Sequence, residues 1–250
     1  MLLVLLFSVL AVVVVAVNVA RNPRPDDATS RTTAPDSKKT PQEGASSRVP
    51  AVEPVSPSGA AAEALATIAV KGRAPKTGYA RTQFGDGWNS VGGCDMRNVI
   101  LRRDLEAPVL DSACKVQSGL LHDPYTGTDV VFTRGATSSS AVQIDHVVAL
   151  SDAWQKGAQL LAPDRRIELA NDPLELLAVD GKTNQAKGDG DAATWLPPNK
   201  AFRCQYVARQ IAVKVKYSLW VTSAEKDSML GVLAACPGQL LPTAFPAARP

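Results

Sequence analysis

The first twenty residues of the chain constrain it most, because they decide its compartment and so whether its cysteines can be oxidised. Residues 1–20 contain no charged side chain and consist mainly of Leu and Val. An apolar run of this length can span a bilayer as a helix or form the core of a signal peptide. No Lys or Arg precedes the run, however, and Asn18 interrupts the small-residue pattern of a cleavage site. The segment predicts a secreted or membrane-anchored protein with its domain outside the cytoplasm; a cytosolic domain is the alternative.

Residues 21–58 have a different composition, in which Pro recurs among Ser, Thr, Asp and Lys without apolar periodicity. Such a stretch cannot bury enough apolar surface to offset the entropy lost on ordering it. We therefore expect a disordered linker, which leaves residues 59–250 for the folded domain. The net charge of +3 is compatible with a polyanionic substrate but does not establish one.

Four isolated cysteines lie in the predicted domain: Cys94, Cys114, Cys204 and Cys236. None forms a C-x-x-C pair and the chain has only two histidines, so a structural zinc site is disfavoured. Behind an export segment, an even number of cysteines favours disulfides over the alternative of buried free thiols. Cys204 begins one predicted helix and Cys236 ends the next. If those helices are antiparallel, these two cysteines meet, which predicts the bridges Cys204–Cys236 and Cys94–Cys114.

Apolar patterning predicts an α+β domain with little sheet. The predicted helices are 60–70, 96–105 after the cap Asp95, 200–217, and a last helix opened by the capping box Thr222-x-x-Glu225. The predicted strands are 130–133, 142–148 and 174–179, the last followed by an Asp-Gly turn signal.

Two short polar sequences follow predicted strands. Asp145 and His146 come at the end of the strand that begins at Val142, and Asn-Gln-Ala-Lys-Gly-Asp spans residues 184–189. In this order and spacing they resemble the HNH, or ββα-metal, endonuclease motif over residues 142–190. In that family one strand delivers the Asp-His pair, a second strand runs back, and a helix begins in the N-x-x-K-G-D-like segment. The resemblance implies a ββα-metal core elaborated with flanking helices.

A wider similarity, over residues 79–236, is to exported bacterial proteins of the same endonuclease family. Those proteins also carry a W-x-P-P sequence, here residues 195–198, and an Arg-Cys pair in a helix, here Arg203 and Cys204. The resemblance implies a metal-dependent endonuclease that acts on nucleic acid, with DNA favoured over RNA. No protein partner is implied.

The chemistry of the reaction explains the residue types. Phosphodiester hydrolysis needs an activated water and neutralisation of the phosphate charge, and a divalent metal can supply the latter. His146 is predicted to be the general base, because an ordinary histidine pKa near neutrality suits proton abstraction. Asp145 and Asn184 offer oxygen ligands of the kind that Mg²⁺ prefers. The expected cofactor is therefore a divalent metal, with Mg²⁺ as the favoured ion, held by Asp145 and Asn184 in a sparse, water-rich site.

One position departs from the family pattern. The middle Asn of the motif, which holds the histidine and its loop in place, falls here on Glu175, and Asn171 lies four residues earlier. Either residue can take that supporting role, so both stay open. Lys187 is a third supporting candidate, as a phosphate contact, a brace for its loop or a solvated surface residue. His122 lies in a turn-rich segment and is predicted to be non-catalytic.

Two other functions compete with the nuclease. One is a catalytically inactive nucleic-acid or cell-envelope binding domain with an HNH-like fold, against which the intact Asp145, His146 and Asn184 argue. The other is a different hydrolase that uses His146, but the sequence has no G-x-S-x-G motif and no zinc ligand set.

Overall fold

The computed structural model describes residues 60–242. The predicted leader, residues 1–20, the whole of the predicted linker, residues 21–58, and the end of the chain beyond residue 242 lie outside the described residues. The helices are α1 (Ala61–Thr67), α2 (Met96–Asp104), α3 (Leu150–Gln155), α4 (Pro163–Asn171), α5 (Gly181–Lys187), α6 (Arg203–Lys216) and α7 (Ser223–Ala234). Within residues 60–242, no helix is both long enough and apolar enough to cross a membrane.

The described strands form three small antiparallel sheets, as expected for an α+β domain with little sheet. The strands are β1 (Ser90–Val91), β2 (Cys94–Asp95), β3 (Glu106–Leu110), β4 (Val116–His122), β5 (Asp129–Thr133), β6 (Val142–His146) and β7 (Leu176–Asp180). β1 pairs with β2, β4 lies between β3 and β5, and β6 pairs with β7. The sequence did not predict β3 and β4, because Pro and Gly interrupt their apolar runs.

Strands β6 and β7 pair antiparallel although α3 and α4 separate them in the chain, and this pair is called the β6–β7 hairpin below. The hairpin lies between two hydrophobic cores. Leu176 and Ala178 of β7 belong to a core with α2 and β4, whereas Leu177 and Val179 belong to a core with the helices. Successive side chains of a strand point to opposite faces, so both faces of β7 are buried. This arrangement explains the unbroken apolar run of β7, and it fixes the hairpin that carries Asp145 and His146.

Local capping signals set several helix boundaries. The Asp95 carboxylate accepts a hydrogen bond from Asn98 N and begins α2, and Thr222 and Glu225 form the predicted capping box of α7. Asp180 is the last residue of β7 and also the N-cap of α5, because its carboxylate accepts a hydrogen bond from Thr183 N. The chain therefore passes from β7 directly into α5 at the Asp-Gly turn signal, so the helix that the resemblance placed in residues 184–189 begins earlier, at Gly181.

Both predicted disulfides are present, Cys94–Cys114 and Cys204–Cys236, and none of the described cysteines is free. The first joins the strand before α2 to the segment that precedes β4. The second joins the start of α6 to the residue two positions beyond α7. Each bridge closes a loop of the unfolded chain, which stabilises a small domain by about 2–4 kcal/mol.

A buried cluster of charges links α3, α6, α7 and the segment after α5. Lys156 Nζ lies 2.8 Å from Asp152, 2.7 Å from Asp191 and 2.6 Å from Glu225. Lys214 Nζ lies 3.0 Å from Glu225, and both lysine side chains are fully buried. Three acidic side chains, from α3, α7 and the segment after α5, therefore surround the two lysines, and neither lysine is solvated.

Candidate functional site

β6 and α5 bring the predicted catalytic residues to one groove of about 380 Å³, which is lined by Gln143, Asp145, His146 and Asn184 among others. Asp145 and His146 are neighbours on a strand, where their side chains would normally point to opposite faces. β6 ends at His146, so the chain leaves the sheet geometry there and both residues border the same groove. Asn184 reaches the groove from α5, which packs against β6 and β7.

His146 is held by a carbonyl group and an aromatic ring. Its Nε2 lies 3.0 Å from the backbone oxygen of Ala170 at the end of α4. A carbonyl oxygen can only accept, so Nε2 donates this hydrogen bond and Nδ1 is left as the nitrogen that can take up a proton. The Trp88 indole stacks on the imidazole, with ring centroids 5.8 Å apart and an angle of 7° between the planes.

The surroundings of His146 favour its neutral form. Burial, together with the positive charges of Arg81 and Lys187, lowers its pKa to about 3, although the hydrogen bond to Ala170 opposes this shift. The sequence suggested an ordinary pKa near neutrality, so the free protein differs from that expectation. The imidazole is therefore neutral in the free protein, which is the form that can accept a proton.

Asp145 is bound by two partners on the protein side of the groove. Lys187 Nζ donates to Asp145 Oδ1 at 2.8 Å and to Oδ2 at 2.7 Å. The Tyr125 hydroxyl donates to Oδ2 as well. Burial and the nearby charge of Asp145 raise the Tyr125 pKa well above its ordinary value, so this hydroxyl keeps its proton. Asp145 is therefore fixed in one orientation by a cation and a neutral donor.

Lys187 has a third acceptor, because its Nζ also donates to the backbone oxygen of His146 at 2.6 Å. Its side chain is fully buried. Of the alternatives left open for Lys187, the structure therefore places it as a brace beneath the site. It touches both residues of the Asp-His pair and is not a solvated surface lysine.

Asn184 is oriented by a neighbour on β6. Its Nδ2 donates to Gln143 Oε1 at 2.9 Å, which leaves Asn184 Oδ1 as the atom available for a ligand. The start of α5 lies so close to the segment before β6 that a Cβ on Gly181 would sit 2.0 Å from the backbone oxygen of Ser140. Glycine at position 181 is thus needed for Asn184 to reach the groove.

The two candidates for the supporting role have different contacts. The Glu175 carboxylate is fully buried and accepts from Val148 N at 3.2 and 3.3 Å, so it holds the chain just after His146. Burial raises its pKa well above the ordinary value. Asn171 Oδ1 accepts from Asn89 N at 2.8 Å, and so anchors the segment that carries Trp88.

Neither the Glu175 nor the Asn171 side chain forms a hydrogen bond with His146 in the part of the chain that the structure describes.

The structure adds residues that the sequence reasoning missed: Arg81, Trp88, Tyr125 and Ala170. Trp88 follows a Gly-Asp-Gly sequence, which is a turn signal beside an aromatic residue. Ala170 acts through its backbone oxygen and left no signal in its side chain. His122, predicted to be non-catalytic, is exposed on the sheet of β3, β4 and β5 between Glu106 and Asp129, and does not line the groove.

Within residues 60–242, no group of three or more His, Cys, Asp or Glu side chains is arranged to hold a metal ion. A cage built only of such side chains is therefore not a feature of this part of the chain. The oxygen atoms of the groove can hold a cation only together with water or substrate oxygens.

Comparison with known proteins relates the chain to a nuclease family. Residues 92–232 match the family described as GmrSD restriction endonucleases, C-terminal domain. A protein of Arthroderma benhamiae, described as an uncharacterized secreted protein, is 38% identical over 184 residues, which are 72% of this chain and 87% of that relative. The matched range of the family includes both strands of the β6–β7 hairpin and α5.

Proposed function

Because the chain belongs to the family of GmrSD restriction endonucleases, C-terminal domain, we propose that it is a metal-dependent endonuclease of the HNH type with His146 as its general base. The observation that carries the proposal is the hydrogen bond from His146 Nε2 to Ala170, at 3.0 Å, beside the groove shared with Asp145 and Asn184. This bond fixes the tautomer in which Nδ1 accepts a proton. The hairpin of β6 and β7 followed by α5 has the order of elements that a ββα-metal core requires.

The donor set fits a weak divalent cation. A carboxylate has about four acceptor positions, of which Lys187 and Tyr125 use three on Asp145. Asp145 Oδ1 and the oriented Asn184 Oδ1 are hard oxygen donors of the kind that Mg²⁺ takes, with water and phosphate completing its shell. When bound, such a cation would neutralise phosphate charge and assist the leaving oxygen. Asp145 and Asn184 are therefore the proposed metal ligands.

The residues of the chain divide the remaining work. His146 is neutral in the free protein and accepts a proton from the attacking water at Nδ1. Trp88 and the Ala170 carbonyl prevent the imidazole from rotating, so that its lone pair keeps one direction. Lys187 holds Asp145 and the His146 backbone together, while Glu175 and Asn171 support the segments on either side. These contacts pre-organise the site before substrate arrives.

The proposed substrate is nucleic acid, with DNA favoured over RNA, and the proposed location is outside the cytoplasm. The two disulfides support an oxidising compartment, and the relative from Arthroderma benhamiae is described as secreted. The same proposal assigns residues 1–20 to export, as a cleaved signal peptide or as a membrane tether.

The test is a cleavage assay on plasmid, linear duplex and RNA, with the full chain in Mg²⁺ or in EDTA. We expect cleavage in Mg²⁺ alone. His146→Ala should retain at most a few per cent of the wild-type rate, with an unchanged circular dichroism spectrum, because it removes the proposed general base. His122→Ala is the matched control and should cleave like the wild type. Full activity in EDTA would refute the metal dependence, and binding without cleavage would favour the inactive binding domain.

A further inference from the structure

A second cavity, of about 260 Å³, adjoins the groove and has His146 in their common wall. The two cavities share Arg81, Trp88, His146 and Leu150. The wall that belongs to the second cavity alone includes residues 84–87, a loop that connects the 3₁₀ turn Arg81–Phe84 to Trp88. A group bound in this cavity would lie beside the imidazole that faces the cleaved phosphate.

The walls of the second cavity combine apolar surface with one carboxylate and, on the side shared with the groove, the cation of Arg81. Phe84, Trp88 and Leu150 supply the apolar surface, and Asp86 is the acidic residue of its lining. Asp86 is exposed, and within the described residues it takes part in no hydrogen bond or ion pair. Its carboxylate is thus available to a ligand that carries donors.

The loop that presents Asp86 is fixed at both ends. Arg166 donates to Gln83 through its Nε, at 2.9 Å, and through its Nη2, at 3.0 Å. On the other side, Asn171 accepts from Asn89 N. Gly85, before Asp86, has φ +97°, a conformation that side chains rarely adopt and that turns the loop toward the cavity. The position of Asp86 is therefore set by the fold and does not depend on a ligand.

A nucleobase has the chemistry that these walls would recognise. It is flat, with apolar faces and an edge of donors and acceptors. A carboxylate can only accept, so Asp86 pairs with a base whose exposed edge carries an amino group, which cytosine, adenine and guanine have and thymine lacks. The cavity is smaller than the roughly 300 Å³ at which pockets for drug-sized ligands begin, so its size suits a single base.

We propose that this cavity binds one nucleobase next to the cleaved phosphodiester and that Asp86 favours amino-bearing bases over thymine there. The inference rests on the proposed function, since the phosphate must lie at His146. A base can enter only when it leaves the stack, so the selection is stronger on single strands than on duplex.

The experiment maps cut sites of the full chain, in Mg²⁺, on single-stranded and duplex DNA of random sequence, by sequencing the product ends. We expect thymine to be depleted about fivefold or more at one position beside the cut, as expected for a good side-chain contact to a base. Asp86→Leu removes both acceptor oxygens and should abolish the depletion. Asp227→Leu, which makes the same change at an exposed position of α7, should leave it intact.

A binding assay separates this inference from the nuclease proposal. Fluorescence anisotropy in EDTA compares labelled pentamers of deoxycytidylate and thymidylate, with the wild type and with Asp86→Leu. We expect the cytosine pentamer to bind several-fold tighter to the wild type only. Cleavage that depends on His146 but shows no base preference would overturn the base pocket and leave the nuclease standing. A preference that survives Asp86→Leu, or equal binding of both pentamers, would also overturn it.

Discussion

Replacing Lys187 with Met tests the central feature of the site, a buried cation that holds the Asp-His pair. The substitution keeps a long apolar stem and removes Nζ, which donates to Asp145 at 2.8 and 2.7 Å and to the His146 backbone at 2.6 Å. The Lys187 side chain is fully buried and that of Asp145 is 8% exposed. The variant thus leaves a carboxylate with little access to water and only Tyr125 as a partner.

Removing one partner of a buried ion pair costs about 3–5 kcal/mol, because the other charge stays behind without compensation. We expect Lys187→Met to lower the free energy of unfolding by an amount in this range, measured by urea denaturation of the metal-free full chain near pH 7. Lys182→Met is the matched control, since Lys182 is an exposed lysine on the same helix. It should change stability by no more than about 0.5 kcal/mol.

The double variant Lys187→Met with Asp145→Asn distinguishes charge from packing. If the loss in Lys187→Met comes from an unpaired carboxylate, removing that charge should restore about 1–2 kcal/mol or more. A loss below about 1 kcal/mol in the single variant would refute the buried ion pair. A double variant that is no more stable than the single one would attribute the loss to packing alone.

Two further predictions concern Gly181 in the frame of the site and Asp191 in the buried cluster of charges. Gly181→Ala should cost about 1–3 kcal/mol and lower the cleavage rate, since its Cβ would lie 2.0 Å from the Ser140 oxygen and push α5 away. Gly231→Ala in the exposed part of α7, with open space around it, should be neutral or stabilising in the same unfolding assay. Burial opposes ionisation of Asp191, yet the hydrogen bond and charge of Lys156, with the charge of Arg73, lower its pKa to about 2. Because this folded-state pKa lies below that of the unfolded chain, the stabilisation is present above about pH 4 and is lost as the pH falls to 2. Asp191→Asn should therefore show a shallower loss of stability than the wild type over that window, and equal slopes would contradict the assignment.

Features with local signals could be predicted from the sequence. The caps Asp95 and Thr222 fix where α2 and α7 begin, because a capping side chain bonds to a backbone only three residues away. Both ends of β6 and both ends of β7 were predicted to within two residues, since each strand carries its own apolar run. The disulfide Cys204–Cys236 followed from two helices joined by a short connection, which packs them side by side.

Features that depend on distant partners could not be predicted. Asp152 lies four residues before Lys156 and is a local partner, but nothing near either lysine in the sequence shows that Glu225 of α7 and Asp191 after α5 converge on them. The same applies to Trp88, which reaches His146 across 58 positions of the chain. The local sequence around a lysine or a loop tryptophan does not show whether its side chain is solvated or buried, because burial is a property of the assembled fold.

The N-x-x-K spacing of the motif gains a structural meaning from the way α5 lies on β6. Asn184 and Lys187 are three residues apart and share one face of the helix, with a rise of about 4.5 Å between them. Their partners, Gln143 and Asp145, are two residues apart on one face of the strand, about 6.6 Å along it. These two cross-links have comparable spacing, so they set the register of α5 against β6. A one-residue shift of either pair would break one link and turn the other residue away from the groove. The spacing therefore serves the proposed ligand Asn184 and the brace Lys187 together, and the conservative substitution of either residue is expected to disturb the other.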